Sequence, residues 1–163
     1  MKSKYQNYKD NFQWIKSIPN NWEISKFRFI FNIFTGDSLN ESQKDKYETY
    51  NYNHQPYISS KDINLQENKI NYKTGLRIPS DSKEFKISPK GSFLLVIEGG
   101  SAGRKVAFVE QDVFFVNKLC SFNSKIVNKY FYYFVQSKAF QEQFNIYLNG
   151  LIGGVSQNHI KNI

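Results

Sequence analysis

Apolar positions along the chain follow two periods. In Lys26–Gly36, KFRFIFNIFTG, residues Phe27, Phe29, Phe31 and Ile33 alternate as in a half-buried strand, while Ile30 and Phe34 blur the pattern toward a short helix. PYISSKDI reads as a short strand entering a polar turn. KINYKTGLRI turns at Gly75, and EFKISPKGSFLLVI joins two strands through Pro89-Lys90-Gly91. In SFLLVIEGGSAGRKVAFVEQDVFFVNKLCSF, Ser92–Phe122, the continuous apolar runs Phe93–Ile97 and Val113–Val116 have the look of buried strands. Helical spacing takes over after Asn128. Tyr130, Phe134, Phe140, Phe144 and Leu148 fall on one side, with the spacing relaxed once between Phe134 and Phe140. One helix is expected, with Asn128 as N-cap and Asn149-Gly150 as its stop.

Two stretches have less regular patterns. The polar run DSLNESQKDKYETYNYNHQ, Asp37–Gln55, has no consistent period and is expected to be a long surface excursion. In NGLIGGVSQNHIKNI, glycines give a turn and Ser156 would cap a short helix carrying Gln157, His159 and Lys161. A helix that short needs packing to be stable. In WIKSIPNNWEISKF, Trp14 and Trp22 flank a turn at Pro19-Asn20-Asn21 and are expected to pin the amino-terminal arm by burying their rings. Strands precede the main helix instead of alternating with it. The fold class expected is therefore α+β, a twisted, mostly antiparallel sheet with a few helices, in a single unit behind a polar leader of residues 1–12.

Composition narrows the partners. Of 163 residues, 40% are hydrophobic and 17% aromatic, so the chain can build a core. Lys and Arg number 22 against 14 Asp and Glu, a net charge of +8. Such an excess favours a polyanion such as nucleic acid. The start, MKSKYQNYKDN, has no apolar stretch, and no run approaches the roughly 20 residues that span a bilayer. A cytoplasmic protein without a membrane partner is expected. Cys120 is the single cysteine, so an intrachain disulfide and a cysteine-based zinc site are excluded. Its setting, KLCSF, is that of a core residue.

Catalytic patterns are missing from the sequence. His54 and His159 lie in polar surroundings without an Asp or Cys at a recognisable spacing, and surface imidazoles are expected. Asp81, Glu84 and Lys86 in PSDSKEFK sit too close together for the acidic–acidic–lysine arrangement of nucleases and read as a solvated charge cluster. GGSAGRK is followed by Val106-Ala107-Phe108-Val109, which looks like a strand, whereas a phosphate-binding loop needs Gly-Lys-Ser/Thr opening a helix. No cofactor and no metal are expected.

Binding residues are the alternative. Lys44, Lys46, Lys61, Lys73, Arg77, Arg104, Lys105 and Lys118 recur in expected loops among small polar groups, as phosphate-contacting residues do. Gln43, Asn64, Gln66, Asn68, Asn71 and Arg77 are residue types that read adenine or guanine edges. Ser60 and Ser101 lie in the same loops as Lys61 and Arg104.

Four stretches in order resemble the target recognition domain of the specificity subunit of type I restriction–modification systems: WIKSIPNNWEISKFRFIF, PYISSKDI, GSFLLVIEGGSAGRKVAFVEQDVFFVNK, and Tyr130–Phe144 followed by GGVSQNHIKNI. The resemblance implies a DNA target recognition domain over residues 13–155 and, at 156–163, the start of a helical region that the family continues into a proline-rich stretch and a long spacer. It implies a bacterial, non-catalytic protein that binds one half of a bipartite double-stranded DNA target. Methyltransferase subunits, and through them a restriction subunit, would be its partners. EGGSAGRK is then a tight inter-strand turn. Either its small residues bring Arg104 and Lys105 close to phosphates, or its glycines serve the fold while specificity sits in Asp37–Gln55 and Asn64–Lys86. The alternative function is a truncated specificity fragment that acts on the methyltransferase subunits with little DNA affinity of its own.

Overall fold

A computed structural model describes residues 8–10, 17–49, 51, 53–126, 128–149 and 154–163. Trp14, the expected leader apart from Tyr8–Asp10, and the turn at Gly150–Gly153 lie outside the described residues. Strands β1 (Tyr8–Asp10) and β2 (Ser17–Pro19) pair antiparallel, so part of the expected leader is strand. The KFRFIFNIFTG run resolves into both of its readings, helix α1 (Phe27–Ile30) and then strand β3 (Asn32–Thr35). Helix α2 (Glu41–Tyr47) follows, then β4 (His54–Ile58), a 3₁₀ turn at Ser60–Asp62, β5 (Arg77–Pro79) and β6 (Ile87–Ser88). The apolar stretch forms β7 (Phe93–Val96), β8 (Val106–Phe108), β9 (Val113–Phe115) and β10 (Leu119–Asn123). Helices α3 (Asn128–Phe134), α4 (Lys138–Asn149) and α5 (Gln157–Ile160) close the chain.

The fold is α+β, with mostly antiparallel pairing divided over two four-stranded sheets. One has the order β3-β10-β7-β8 and the other β5-β4-β9-β6, where β4 and β9 are the parallel pair. Side-chain alternation along β7 explains the arrangement. Phe93 and Leu95 enter one cluster with Phe27, Phe122, Phe140 and Phe144, while Leu94 and Val96 enter another with Ile58, Val113 and Phe115. Both faces of the first sheet are thus buried, which is why FLLV reads as an unbroken apolar run. The second sheet alternates likewise: Phe115 faces the first sheet, and Phe114 faces a third cluster with Leu39, Tyr47, Tyr57 and Ile78. The layers run from helices α1, α3, α4 and α5, through the two sheets, to α2. Three buried hydroxyls tie the sheets together, Ser88 Oγ lying 2.7 Å from Ser121 Oγ and 2.8 Å from Ser92 Oγ.

Four expectations are corrected. The single helix after Asn128 is two helices, and the break falls where the apolar spacing relaxes, between Phe134 and Phe140. Asn128 is the first helical residue of α3, not its cap; its amide accepts from Ser124 N–H and donates to the Gly91 carbonyl. The surface excursion contains α2, started by a reciprocal cap in which Asn40 Oδ1 accepts from Gln43 N–H and Gln43 Oε1 accepts from Asn40 N–H. Trp22 is 45% exposed and lines a surface groove, so its ring is not a buried pin.

Cys120 is fully buried, and burial pushes its thiol well above the usual range. Ser156 caps α5 as read, its oxygen accepting from His159 N–H, and the short helix is packed through fully buried Ile160.

Candidate nucleic-acid interface

Strand directions decide which loops share an end of the molecule. Because β4 and β9 run parallel, the turn after β4 lies on the same side as the β9–β10 turn. The β7–β8 loop joins them there, since β7 is antiparallel to β10. Three loops from separate parts of the sequence therefore meet at one end. They bring together Ser60 and Lys61, Ser101, Arg104 and Lys105, and Lys118.

The EGGSAGRK loop is held by the fold. Gly103 has φ of +75°, and a Cβ on it would lie 2.6 Å from the Phe144 ring of α4. Its carbonyl accepts from Gln141 Nε2 at 2.6 Å, and its N–H donates to the Val96 carbonyl at 2.8 Å. Close approach is indeed what this glycine permits, and the approaching group is the protein's own helix. The loop then presents its basic pair differently. Lys105 is half-buried and its Nζ donates to the Ser60 carbonyl at 2.9 Å, which joins this loop to the 3₁₀ turn. Arg104 is exposed, its guanidinium donating to the Gly100 carbonyl. Lys61 is exposed on the turn, which is closed by Asp62 Oδ2 accepting from Ser59 N–H at 2.8 Å and Oγ at 2.6 Å. Lys118 pairs with Glu98 at 3.0 Å, both partly exposed. Four cations, Lys61, Arg104, Lys105 and Lys118, thus stand against Asp62 and Glu98. At the opposite end the turns before β7 and β9 carry Lys90 against Glu110 and Asp112. The three loops of the first end thus carry more positive charge than these two turns.

The remaining candidates lie elsewhere. Gln43 is occupied by the cap of α2. Lys44 pairs with Glu41 at 2.6 Å, and Lys46 Nζ sits 5.1 Å from the Tyr47 ring centre. Lys73 is exposed, as are Asn64, Gln66 and Asn71. Asn68 is tied to α3, its Nδ2 donating to Gln136 Oε1 and its carbonyl accepting from Tyr132 Oη. Arg77 is the correction. It is 5% exposed, and its guanidinium donates to the carbonyls of Asn51, His54 and Tyr72, so it is not an outward phosphate contact. A strand position between Leu76 and Ile78 was the available sign of burial.

The two expected specificity segments are not independent loops. Glu48 bridges Leu76, Thr49 N–H donates to the Gly75 carbonyl, and Tyr47 meets Phe85 edge to face at 5.9 Å. Together they build one lobe around the third cluster. Residues 37–86 contain eight basic and eight acidic side chains, so the positive excess belongs to the rest of the chain.

Neither histidine is a free surface imidazole. His159 stacks on Tyr147 at 4.9 Å with Nδ1 3.0 Å from Ser156 Oγ, and His54 is half-buried in β4. Asp81 and Glu84 are exposed, as expected of a solvated cluster. Among the described residues no group of three or more metal-ligating side chains gathers, and no helix is long and apolar enough to cross a membrane.

Residues 19–163 match the type I restriction modification DNA specificity domain, and the chain belongs to that family. The fold is similar to a chain from work on complex assembly and conformational transition of the type I R-M system (TM-score 0.67, 12% identity, 90% of this chain and 34% of that one). It is also similar to the HsdS subunit from Thermoanaerobacter tengcongensis (0.64, 13%, 90% and 33%). A third similar structure is the type I S subunit from M. genitalium (0.53, 16%, 92% and 35%). The chain spans about a third of each of these structures. No curated protein matches it.

Proposed function

We propose that this domain binds double-stranded DNA sequence-specifically, recognises one half of a bipartite target, and leaves all chemistry to partner subunits. The observation that carries the reading is the meeting of Ser60, Lys61, Ser101, Arg104, Lys105 and Lys118 at one end of both sheets. Cations on a rigid rim neutralise phosphates and release counterions, and they orient the neutral lobe beside it for base contacts. Methyltransferase subunits, and a restriction subunit through them, are the partners in this reading, and the cell interior is its location.

Binding to a randomised duplex pool at low and fourfold higher salt, with sequencing of what is retained, tests it. With about five phosphate contacts the higher salt should weaken binding on the order of several-hundredfold. A short asymmetric motif should be enriched. Retention that ignores salt, or none at all, would favour a second reading, a protein-interaction module acting on the methyltransferase subunits. That reading rests on a groove lined by Ile18, Trp22, Ile24, Tyr130 and Phe131, and on the exposed rings of Phe29 in α1 and Tyr133 in α3, 76% and 60% exposed.

A further inference from the structure

Arg77 is the least exposed charged residue among the described positions, at 5%. Burying a guanidinium is unfavourable unless its donors are well matched. Here the planar fork spans two segments: Nε and Nη2 reach the His54 carbonyl at 3.1 and 2.7 Å, Nε the Asn51 carbonyl at 3.2 Å, and Nη1 the Tyr72 carbonyl at 3.2 Å. Tyr72 Oη in turn accepts from Glu110 N–H at 2.8 Å, which extends the tie to the β8–β9 turn. One side chain thus fastens the tip around Asn51–His54, the loop at Asn71–Thr74 and, through Tyr72, the sheet below.

Both fastened tips expose groups suited to base edges. Asn51, Asn53, Asn71 and Lys73 are exposed. The amide oxygens of Asn51 and Asn71 accept from Asn53 and Lys73 N–H groups at 3.0 Å each, which restricts their rotamers. A polar side chain held in one orientation loses less entropy on binding than a free one. We infer that Arg77 is a positioning residue for specificity, holding Asn71 and Lys73, whose loop reaches the rim turn through Asn71 N–H donating to the Asp62 carbonyl at 2.8 Å, as a reading edge without touching DNA itself. The inference deepens the DNA reading above and rests on it.

Its signature is a separation of specificity from affinity. Nonspecific, salt-sensitive binding belongs to the rim at Lys61, Arg104, Lys105 and Lys118, whereas the carbonyls that the Arg77 guanidinium holds are those of Asn51, His54 and Tyr72. Arg77→Met and Arg77→Lys are therefore compared with the wild type for binding to the selected motif and to scrambled duplex. Both variants should keep scrambled-duplex affinity within about twofold and lose about tenfold or more of the preference for the motif, the loss of roughly one bidentate base contact. Lysine restores the charge but cannot span three carbonyls, so it should not rescue. Rescue by lysine, or a uniform loss on both duplexes, would overturn the inference in favour of a charge or phosphate role. A merely structural role lowers the active fraction and leaves the preference ratio unchanged.

Amide hydrogen exchange decides the positioning claim without DNA, and it separates failure of this inference from failure of the DNA reading. In both variants, exchange should accelerate at Asn53–His54 and Tyr72–Leu76 and stay unchanged in β7 and β10. Unchanged exchange at those tips would refute the tie. A wild type that selects no motif would overturn the specificity role together with the DNA reading, while the exchange data still settle whether Arg77 orders the tips.

Discussion

The two faces of the molecule are built by different means. On the helical side of the first sheet, aromatic rings do the work. Phe27 meets Phe31, Phe122 and Phe131 edge to face at 5.7–5.8 Å, and Phe93 stacks on Phe122 at 4.7 Å. Such burial is non-directional and strong, with each ring removing a large apolar area from water. The lobe of residues 37–86 has a smaller apolar cluster and relies on discrete polar ties: the Asn40–Gln43 cap, Asp37 with Lys86 at 3.1 Å, and Arg77 with three carbonyls. A core of rings tolerates little change in shape. A lobe of separate hydrogen bonds can change its surface residues one at a time, which suits the base-reading role proposed for it.

The largest expected effect breaks the aromatic side. Phe122→Ala should destabilise the whole domain by about 3–5 kcal/mol, read as a shift of the denaturant midpoint with an unchanged slope. A loss under 1 kcal/mol would remove the claim that this cluster carries the fold.

The next effect concerns the lobe's junction with the second sheet. Burial raises the Tyr57 phenol from 10 to about 12, with the Asp37 charge adding to the rise against the lowering hydrogen bond from the Leu39 backbone. An unfolded tyrosine ionises near pH 10 while the folded one stays neutral, so the folded state holds the extra proton between these values. Stability should therefore be full below pH 10 and fall progressively toward pH 12, by at most about 2.7 kcal/mol from this residue. Thermal melts across that range should show a shallower alkaline decline for Tyr57→Phe. Parallel declines would place the ionisation elsewhere.

Asn40→Ala removes one half of the reciprocal cap of α2 and should cost about 1 kcal/mol, confined to the lobe. Hydrogen exchange in α2 should rise while β7 stays protected; equal loss in both regions would mean that the lobe has no independence from the aromatic side. The smallest effect on folding is expected at the rim. Lys61→Ala should leave stability within about 0.5 kcal/mol and reduce the salt slope of duplex binding by about one unit. An unchanged slope would take Lys61 off the phosphate-contacting rim.

Much of the aromatic side was legible in the sequence, because local burial leaves local patterns. The continuous runs in β7 and β9, the turn at Pro89-Lys90-Gly91, the core place of Cys120 and the cap at Ser156 all follow from residue type and spacing. The interruption between Phe134 and Phe140 was visible too, as a relaxed spacing that proved to be a helix break. In the lobe the Asn40-x-x-Gln43 signal was present but was hidden in a run without hydrophobic period.

By itself the sequence determined the α+β class, the places of the continuous apolar strands β7 and β9, the positive excess and the residues available for binding. Only the tertiary structure decided which of those residues act together. Strand direction brought Ser60, Lys61, Ser101, Arg104, Lys105 and Lys118 to one end, although 58 positions separate the first from the last. Packing set Gly103 of the EGGSAGRK loop against Phe144, and it turned Arg77 inward. Charge and hydrogen-bonding capacity belong to a residue and can be read from its letter. Orientation depends on what the rest of the chain packs against it, and no local pattern carries that information.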